Sequence, residues 1–308
     1  MNPGSLSMND WRSNASAFAE LLAAAAASLA SSPVRAHSCV RLPARGRLLI
    51  TGDLHGNTIH FEAAITAARL GRSRDHHVVL QEVIHGDSRT DGLDMSHRLL
   101  ARIAELVLAH PGQVHPILAN HELAQCRGHP IVKSGVNCVE AFDEGIEHAF
   151  GDDAQIAADA VRRFITAMPL AVVCENGVAV THSLPNASAM RRFDTRVLER
   201  ALCDEDFDPP YGAAYLLTWG RSHDPVQLIS LARDWGVSVF IVGHAPAPDG
   251  VGFRAPNMVV LNSGHAEGRV IDLDLAARTP SAAALAVGAV ALAAFLRDDH
   301  TASGQALA

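Results

Sequence analysis

Five polar clusters are ordered along this chain, and four of them come directly after a short apolar stretch typical of a β-strand. The clusters are Gly52-Asp53-Leu54-His55-Gly56, Gly86-Asp87, Asn120-His121-Glu122, His182 and Gly243-His244. Side chains at successive strand ends can converge on one edge of a sheet, so this order strongly constrains the fold. Their oxygen and imidazole donors, without thiolate, suit a pair of divalent ions better than a structural zinc.

Apolar periodicity predicts strands and helices in alternation along most of the chain. The spacing of Leu99, Ile103 and Val107 is helical, and Asn176-Gly177 is a strong hairpin signal. Alternation followed by consecutive strands predicts the α/β class with a mixed sheet. Strands are predicted over 47–51, 77–84, 114–118, 170–174, 178–182, 237–242, 258–262 and 268–273, and helices over 58–70, 94–109, 137–167 (a mostly helical block) and 225–235.

The composition is that of a folded protein without a polycationic surface. Hydrophobic residues make up 48% of the 308 residues, and the net charge is −8. We therefore expect no nucleic-acid partner, and a phosphorylated substrate would be attracted locally by metal ions and arginines. The five cysteines are odd in number and include no C-x-x-C pair, which favours a reducing, cytoplasmic location.

Two alanine-rich segments lie near the ends of the chain. Asp10 and Glu20 are acidic where a signal peptide would be basic or apolar, so 15–30 is not expected to be one. The apolar segment 281–296 is shorter than the ~20 residues of a membrane helix. It therefore predicts a docked helix, with a weak membrane tail as the alternative. We predict an N-terminal helical extension over 1–45, a main domain over 46–275, and a C-terminal Ala-rich helix and tail over 276–308.

These clusters resemble the motifs of the calcineurin-like metallophosphoesterases, and more narrowly those of the phosphoprotein phosphatase branch. The resemblance runs over about residues 47–274 and includes the segment 164–172, which precedes the hairpin histidine His182. It also includes His244, followed after four residues by Asp249-Gly250. It implies a four-layer metallophosphoesterase fold, a β-sandwich of mixed sheets flanked by helices.

The resemblance also implies two divalent metal ions, Mn²⁺ as the first expectation and Fe or Zn as alternatives. A hydroxide between the ions would attack a phosphomonoester, and His121 would protonate the leaving oxygen. The implied substrates are phosphomonoesters, including phosphoserine, phosphothreonine and phosphotyrosine on proteins. The implied ligands are Asp53, His55 and Asp87 for the first ion, and Asp87, Asn120, His182 and His244 for the second.

Several positions depart from the family pattern. Asp91 comes one residue later than the aspartate that orients the acid in the family, and we predict that it orients His121. Arg221, beside Trp219, is predicted to bind and stabilise the phosphate, and Arg89 is a second candidate. A solvated turn is the alternative for both Arg89 and Asp91. Further substrate contacts are predicted for Asn120 and for His265, whose alternative is a loop histidine without a catalytic role.

Two other functions stay open. Related enzymes with the same metal set hydrolyse dinucleoside polyphosphates, although 5% aromatic residues argues mildly against a cleft that stacks bases. A metal-binding regulatory domain with little turnover is favoured by the altered Asp91 region and by Ser183-Leu184, which replace the usual pair of glycines.

Overall fold

Two mixed β-sheets pack face to face in the computed structural model, which describes residues 10–86 and 92–296. With strands numbered in chain order, the first sheet contains, from edge to edge, β1 (Arg35–Ala36), β2 (Cys39–Leu42), β8 (Ala171–Cys174), β9 (Val178–Thr181), β10 (Val239–Val242), β12 (Met258–Leu261) and β11 (Val251–Arg254). The second contains β14 (Val290–Ala291), β13 (Arg269–Asp274), β3 (Arg47–Asp53), β4 (His76–Gln81) and β5 (Val114–Ile117). A separate hairpin contains β6 (Val132–Lys133) and β7 (Val136–Asn137).

Helices connect and cover these strands. Several begin at side chains that accept a hydrogen bond from the first turn, such as Asp224, which accepts from the Gln227 N–H at 2.8 Å just before Pro225. The α-helices are α1 (Ala15–Ala30), α2 (Thr58–Ala68), α3 (His97–Ala109), α4 (Asn120–Arg127), α5 (Cys138–Phe150), α6 (Ala154–Ala167), α7 (Ala213–Trp219), α8 (Pro225–Trp235) and α9 (Ala282–Val287).

The central strands are buried on both faces because each sheet lies between the other sheet and helices, whereas the edge strand β11 is partly exposed. In β3, Leu48 and Ile50 belong to the core between the sheets, whereas Leu49 belongs to the core that includes the helices. This division follows from the alternation of side chains along a strand. The predicted β-sandwich of mixed sheets flanked by helices is confirmed.

The parallel strands bring their carboxyl ends to one edge of the sandwich. β3, β4 and β5 are parallel, as are β9, β10 and β12. A bridge between Asp53 and Asn262 links the ends of β3 and β12, so the two sheets meet there. A Cβ at Gly52 would lie 2.1 Å from the Leu261 carbonyl oxygen, so this approach requires glycine.

The first and last described α-helices pack onto the rest of the fold. Phe18 and Leu22 of α1 are fully buried in the core that α1 shares with α3 and α6. In the apolar C-terminal segment, α9 ends at Val287, and β14 and a 3₁₀ turn follow. The predicted division at 45/46 and 275/276 stays a prediction. Within the described ranges, no helix is both long and apolar enough to span a bilayer.

Candidate metal centre

The structure brings five of the predicted metal ligands together at the edge where the sheets meet. Each follows a strand end or begins a helix, as their sequence positions suggested. Asp53 ends β3, His55 is in the loop after it, Asn120 begins α4, His182 follows β9 and His244 follows β10. A pocket of about 420 Å³ opens beside them.

In three of these side chains, the atoms that could bind a metal ion lie close to one another. The Asn120 Oδ1 atom lies 2.8 Å from His182 Nε2 and 2.9 Å from His244 Nδ1. Cations such as Zn²⁺ bind nitrogen and oxygen at about 2.0–2.2 Å, so adjacent ligand atoms are about 3 Å apart. The spacing of the three atoms therefore fits one side of a coordination shell.

Asp53 is held by the backbone that carries His244. The His244 N–H donates to both oxygens of the Asp53 carboxylate, at 2.9 and 3.1 Å. A Cβ at Gly243 would lie 2.2 Å from Asp53 Oδ1, so glycine is required beside the carboxylate. Burial raises the pKa of Asp53 to about 6, although the His244 N–H opposes the shift.

A carboxylate that was not predicted, that of Glu82, lies between the histidines. Its Oε2 atom is 3.3 Å from His55 Nε2, and its Oε1 atom is 3.6 Å from His182 Nε2. Among the described residues, Glu82 Oε1 has no hydrogen-bond partner. Burial, and secondly the charge of Asp53, raise the pKa of Glu82 well above its usual value. A buried carboxylate oxygen that accepts no hydrogen bond and lies among imidazoles is suited to bind a cation.

Glu82 was missed because β4 ends earlier than its apolar pattern predicts. The strand predicted over 77–84 ends at Gln81, and Glu82 leaves it with a φ of 45°. In the pairing of β3 with β4, Asp53 is opposite Gln81. The polar pair Gln81-Glu82, inside an otherwise apolar run, was the available signal.

Three predicted site residues cannot be placed in this geometry. Asp87, Arg89 and Asp91 lie in residues 87–91, outside the described residues. Their predicted roles as metal ligand, phosphate contact and orienting carboxylate stay predictions.

His121 lies at the first turn of α4 with one ring nitrogen toward the candidate ligands. Its Nε2 atom is 3.7 Å from Glu82 Oε1, and its Nδ1 atom is 2.9 Å from Nδ1 of His85. Burial lowers the pKa of His121, with smaller contributions from His55 and His85. The neutral imidazole is therefore its resting form in this environment.

Two cationic side chains line the pocket from opposite parts of the chain. Arg221, just after α7, is exposed, and its Nε atom donates to His244 Nε2 at 2.9 Å. Lys133, on the β6–β7 hairpin, was not predicted as a site residue, because an isolated lysine in a polar loop has no distinguishing pattern. Its charge lowers the pKa of both Asp53 and Glu82, against the larger effect of burial.

His265 is engaged within its own loop. Its Nε2 donates to the Ala247 carbonyl oxygen at 3.0 Å, and its Nδ1 accepts from the Glu267 N–H at 3.2 Å. It is not among the residues that line the pocket. The geometry favours the loop role over the predicted substrate contact.

The fold of this chain occurs in known phosphatases. No family model and no curated protein sequence matches the chain. A serine/threonine phosphatase from Saccharomyces cerevisiae, similar to human phosphatase PP5, superposes with a TM-score of 0.61 at 15% identity, over 84% of this chain and 82% of that one. A cold-active protein-tyrosine phosphatase of a psychrophilic Shewanella species gives 0.51 at 13% identity, over 80% of each chain. The predicted metallophosphoesterase resemblance is confirmed at the level of the fold.

Proposed function

We propose that this protein is a two-metal-dependent phosphatase that hydrolyses phosphomonoesters, with phosphorylated proteins as the first substrate class to test. The observation that carries the proposal is the position of Glu82. Its carboxylate belongs to two groups of donors whose atoms lie within 4.8 Å of one another, one with His55 and His121 and one with His182 and His244. A carboxylate shared by two such groups can bridge a pair of ions.

In this proposal the first ion is held by Asp53, His55 and Glu82, whereas His121 of the first group binds no metal and serves in proton transfer. The second is held by Glu82, Asn120, His182 and His244. The donors are carboxylate, amide and imidazole, a set that accommodates Mn²⁺, Fe or Zn²⁺. When bound, such ions supply an activated water and positive charge beside the phosphoryl group.

The remaining pocket residues have roles that follow from their chemistry. Arg221 and Lys133 attract the phosphate, and the arginine also offers a planar pair of donors. His121 Nε2 is the nitrogen near the candidate ligands and is assigned to the leaving oxygen. Because burial favours the neutral ring, His121 must take up a proton before it can donate one.

The test compares two carboxylates as the shared ligand. Glu82→Gln keeps the size of the side chain but removes its charge, so metal content and phosphate release should fall together. Because metal ions contribute several kcal/mol to such reactions, the loss of turnover should exceed about a hundredfold. Asp87→Asn is the matched variant. Metal content is measured by mass spectrometry, and phosphate release from an aryl phosphate and from phosphopeptides with Mn²⁺.

The outcomes are distinct. Loss in Asp87→Asn with a normal Glu82→Gln would assign the shared position to Asp87. Wild-type protein that binds metal but releases no phosphate from aryl phosphates, phosphopeptides or nucleotides would be a regulatory domain, and the proposed activity would be wrong. A strong preference for dinucleoside polyphosphates would change the substrate class.

A further inference from the structure

We propose, on the basis of the function above, that Asp143, Gln125 and His85 form a hydrogen-bonded relay that positions His121. The relay fixes the proton of neutral His121 on Nδ1 and leaves the Nε2 lone pair facing the pocket. His85 is a positioning residue in this scheme, since the contacts that define its place are with protein side chains.

The relay runs from the surface into the site through three short contacts. The Gln125 Nε2 atom donates to Asp143 Oδ1 at 2.7 Å. The Gln125 Oε1 atom lies 2.8 Å from His85 Nε2, and His85 Nδ1 lies 2.9 Å from His121 Nδ1. Asp143 is exposed, whereas the other three side chains are buried.

The direction of each hydrogen bond follows from the fixed chemistry of the first group. An ionised carboxylate only accepts, so Asp143 requires the amide nitrogen of Gln125 on its side. The amide oxygen then faces His85, whose Nε2 must carry the proton. In neutral His85 the Nδ1 atom is therefore an acceptor, and His121 Nδ1 must be the donor.

Local structure holds the His85 ring in this place. The His85 N–H donates to the Ser96 hydroxyl at 3.0 Å, and the ring packs edge-to-face with Phe142 at 5.7 Å between centroids. Its φ of 58° lies in the left-handed region, where histidine, asparagine and aspartate are enriched. This loop is supported by Glu122, which accepts the backbone N–H groups of residues 83 and 84 at 2.7 and 3.1 Å.

α4 organises the relay because successive turns of the helix supply its members. His121 and Gln125 are four residues apart, so they lie on the same face of the helix.

A carboxylate bound directly to the ring of His121 would bring a further negative charge beside Glu82. A neutral histidine gives the same orientation without that charge in a site that already holds several buried carboxylates, so the relay is the alternative to the predicted role of Asp91.

A metal ion is the competing explanation for the same side chains. His85, His121 and Cys138 present donor atoms within 4.8 Å of one another. A metal at that position would take one ring nitrogen from each histidine, and it would depend on the thiol. Cys138→Ser therefore separates the alternatives, because the relay does not use the thiol.

The first experiment reads the proton directly in the metal-free protein. Nitrogen NMR of ¹⁵N-histidine-labelled protein distinguishes the two neutral tautomers, and the His121 signal is assigned with His121→Asn. We expect the Nδ1–H tautomer in the wild type and in Cys138→Ser, and a mixture in Gln125→Leu. An Nε2–H tautomer for wild-type His121 would overturn the relay, whether or not the protein is a phosphatase.

The second experiment uses the metal-loaded enzyme. His85→Asn suits the backbone but is too short to hold both partners, and it should lower kcat by about tenfold or more at unchanged KM and metal content. That loss is part of the ~10²–10⁴-fold that a general acid contributes, so it should grow as the leaving group becomes poorer. Gln125→Leu should behave similarly.

A double variant provides the rescue. Gln125→Glu combined with Asp143→Asn reverses the outer hydrogen bond but keeps an acceptor at His85 Nε2, so it should recover most of the activity lost in Gln125→Leu. Equal losses for good and poor leaving groups in His85→Asn, or no rescue, would overturn the relay. In that case normal wild-type turnover would show that the proposed function stands.

Discussion

Considered residue by residue, the candidate site is a set of buried acids and imidazoles, in which the neutral imidazoles do not balance the charge of the carboxylates. Burial raises the pKa of Asp53 to about 6 and that of Glu122 to about 7. It lowers the pKa of His244 to about 3. These shifts all oppose charge, as expected for polar groups removed from water. A cation among these donors would reverse the shift of the carboxylates and keep the imidazoles neutral.

The Nε atom and the terminal nitrogens of Arg221 have different roles, and this gives a testable prediction. Its Nε atom donates to His244, so the terminal nitrogens are the ones offered to a phosphate. Arg221→Lys keeps the charge but loses the planar fork and the contact with His244. Since a charge-assisted hydrogen bond contributes about 1.5–3 kcal/mol, kcat/KM should fall by roughly tenfold to a hundredfold.

The measurement uses an aryl phosphate and metal-saturated proteins, with metal content determined in parallel. Arg89→Lys is the matched variant and should have a much smaller effect if that residue is a solvated turn. A normal Arg221→Lys beside a strongly impaired Arg89→Lys would assign the phosphate contact to residues 86–92.

Among the secondary-structure elements, the predicted bounds agree with the structure where a few neighbouring residues determine where the element begins or turns. α8 has the predicted bounds, 225–235, because Asp224 and Pro225 define its start. The β8–β9 hairpin also occurs where Asn176-Gly177 predicts it, with Gly177 at a φ of 90°. The two-residue strands of the β6–β7 hairpin and the seven-residue α7 were not predicted, since so few residues show no periodicity.

The site residues that could be predicted from the sequence are likewise those with a local signal. Asp53, Asn120, His182 and His244 lie at or shortly after the ends of strands with clear apolar patterns, so their convergence was predictable. Glu82 and His85 lie beside Val83 and Ile84, which extend the apolar run without extending the strand. The backbone N–H groups of Val83 and Ile84 donate to the Glu122 carboxylate instead of to a neighbouring strand. That choice is tertiary, and periodicity cannot report it.

α1 offers a prediction about an element far from the chemistry. Leu22 is fully buried in the core shared by α1, α3 and α6, whereas the adjacent Leu21 is only partly buried. Leu22→Ala should lower the free energy of unfolding by about 2–5 kcal/mol, and Leu21→Ala by clearly less. Urea unfolding followed by circular dichroism measures both. Equal values would mean that α1 is not docked through this face.

At the scale of the whole molecule, histidine is used both as a candidate ligand and as an ordinary core residue. Of the 17 histidines, His97 and His115 are buried away from the candidate ligands. His97 packs against the rings of Phe18 and Phe150, and His115 lies 3.2 Å from the ring of His77. Burial lowers the pKa of His97 and of His115 to about 3. The fold therefore holds both rings neutral and becomes less stable when acid protonates the unfolded chain.

The pH dependence of stability tests this arrangement at His97. The unfolded chain takes up a proton near pH 6.5 and the folded protein only near pH 3, so stability is lost as pH falls between these values. From pH 7 to pH 5 the loss from one such group is about 2 kcal/mol, at about 1.4 kcal/mol per pH unit below 6.5. His97→Leu removes the group, so the variant should gain about that much relative to the wild type over this range. Denaturant unfolding of metal-free proteins at both pH values provides the comparison, with His148→Leu as a control at an exposed position of α5. A difference between His97→Leu and the wild type that does not change with pH would show that His97 is not held neutral by the fold.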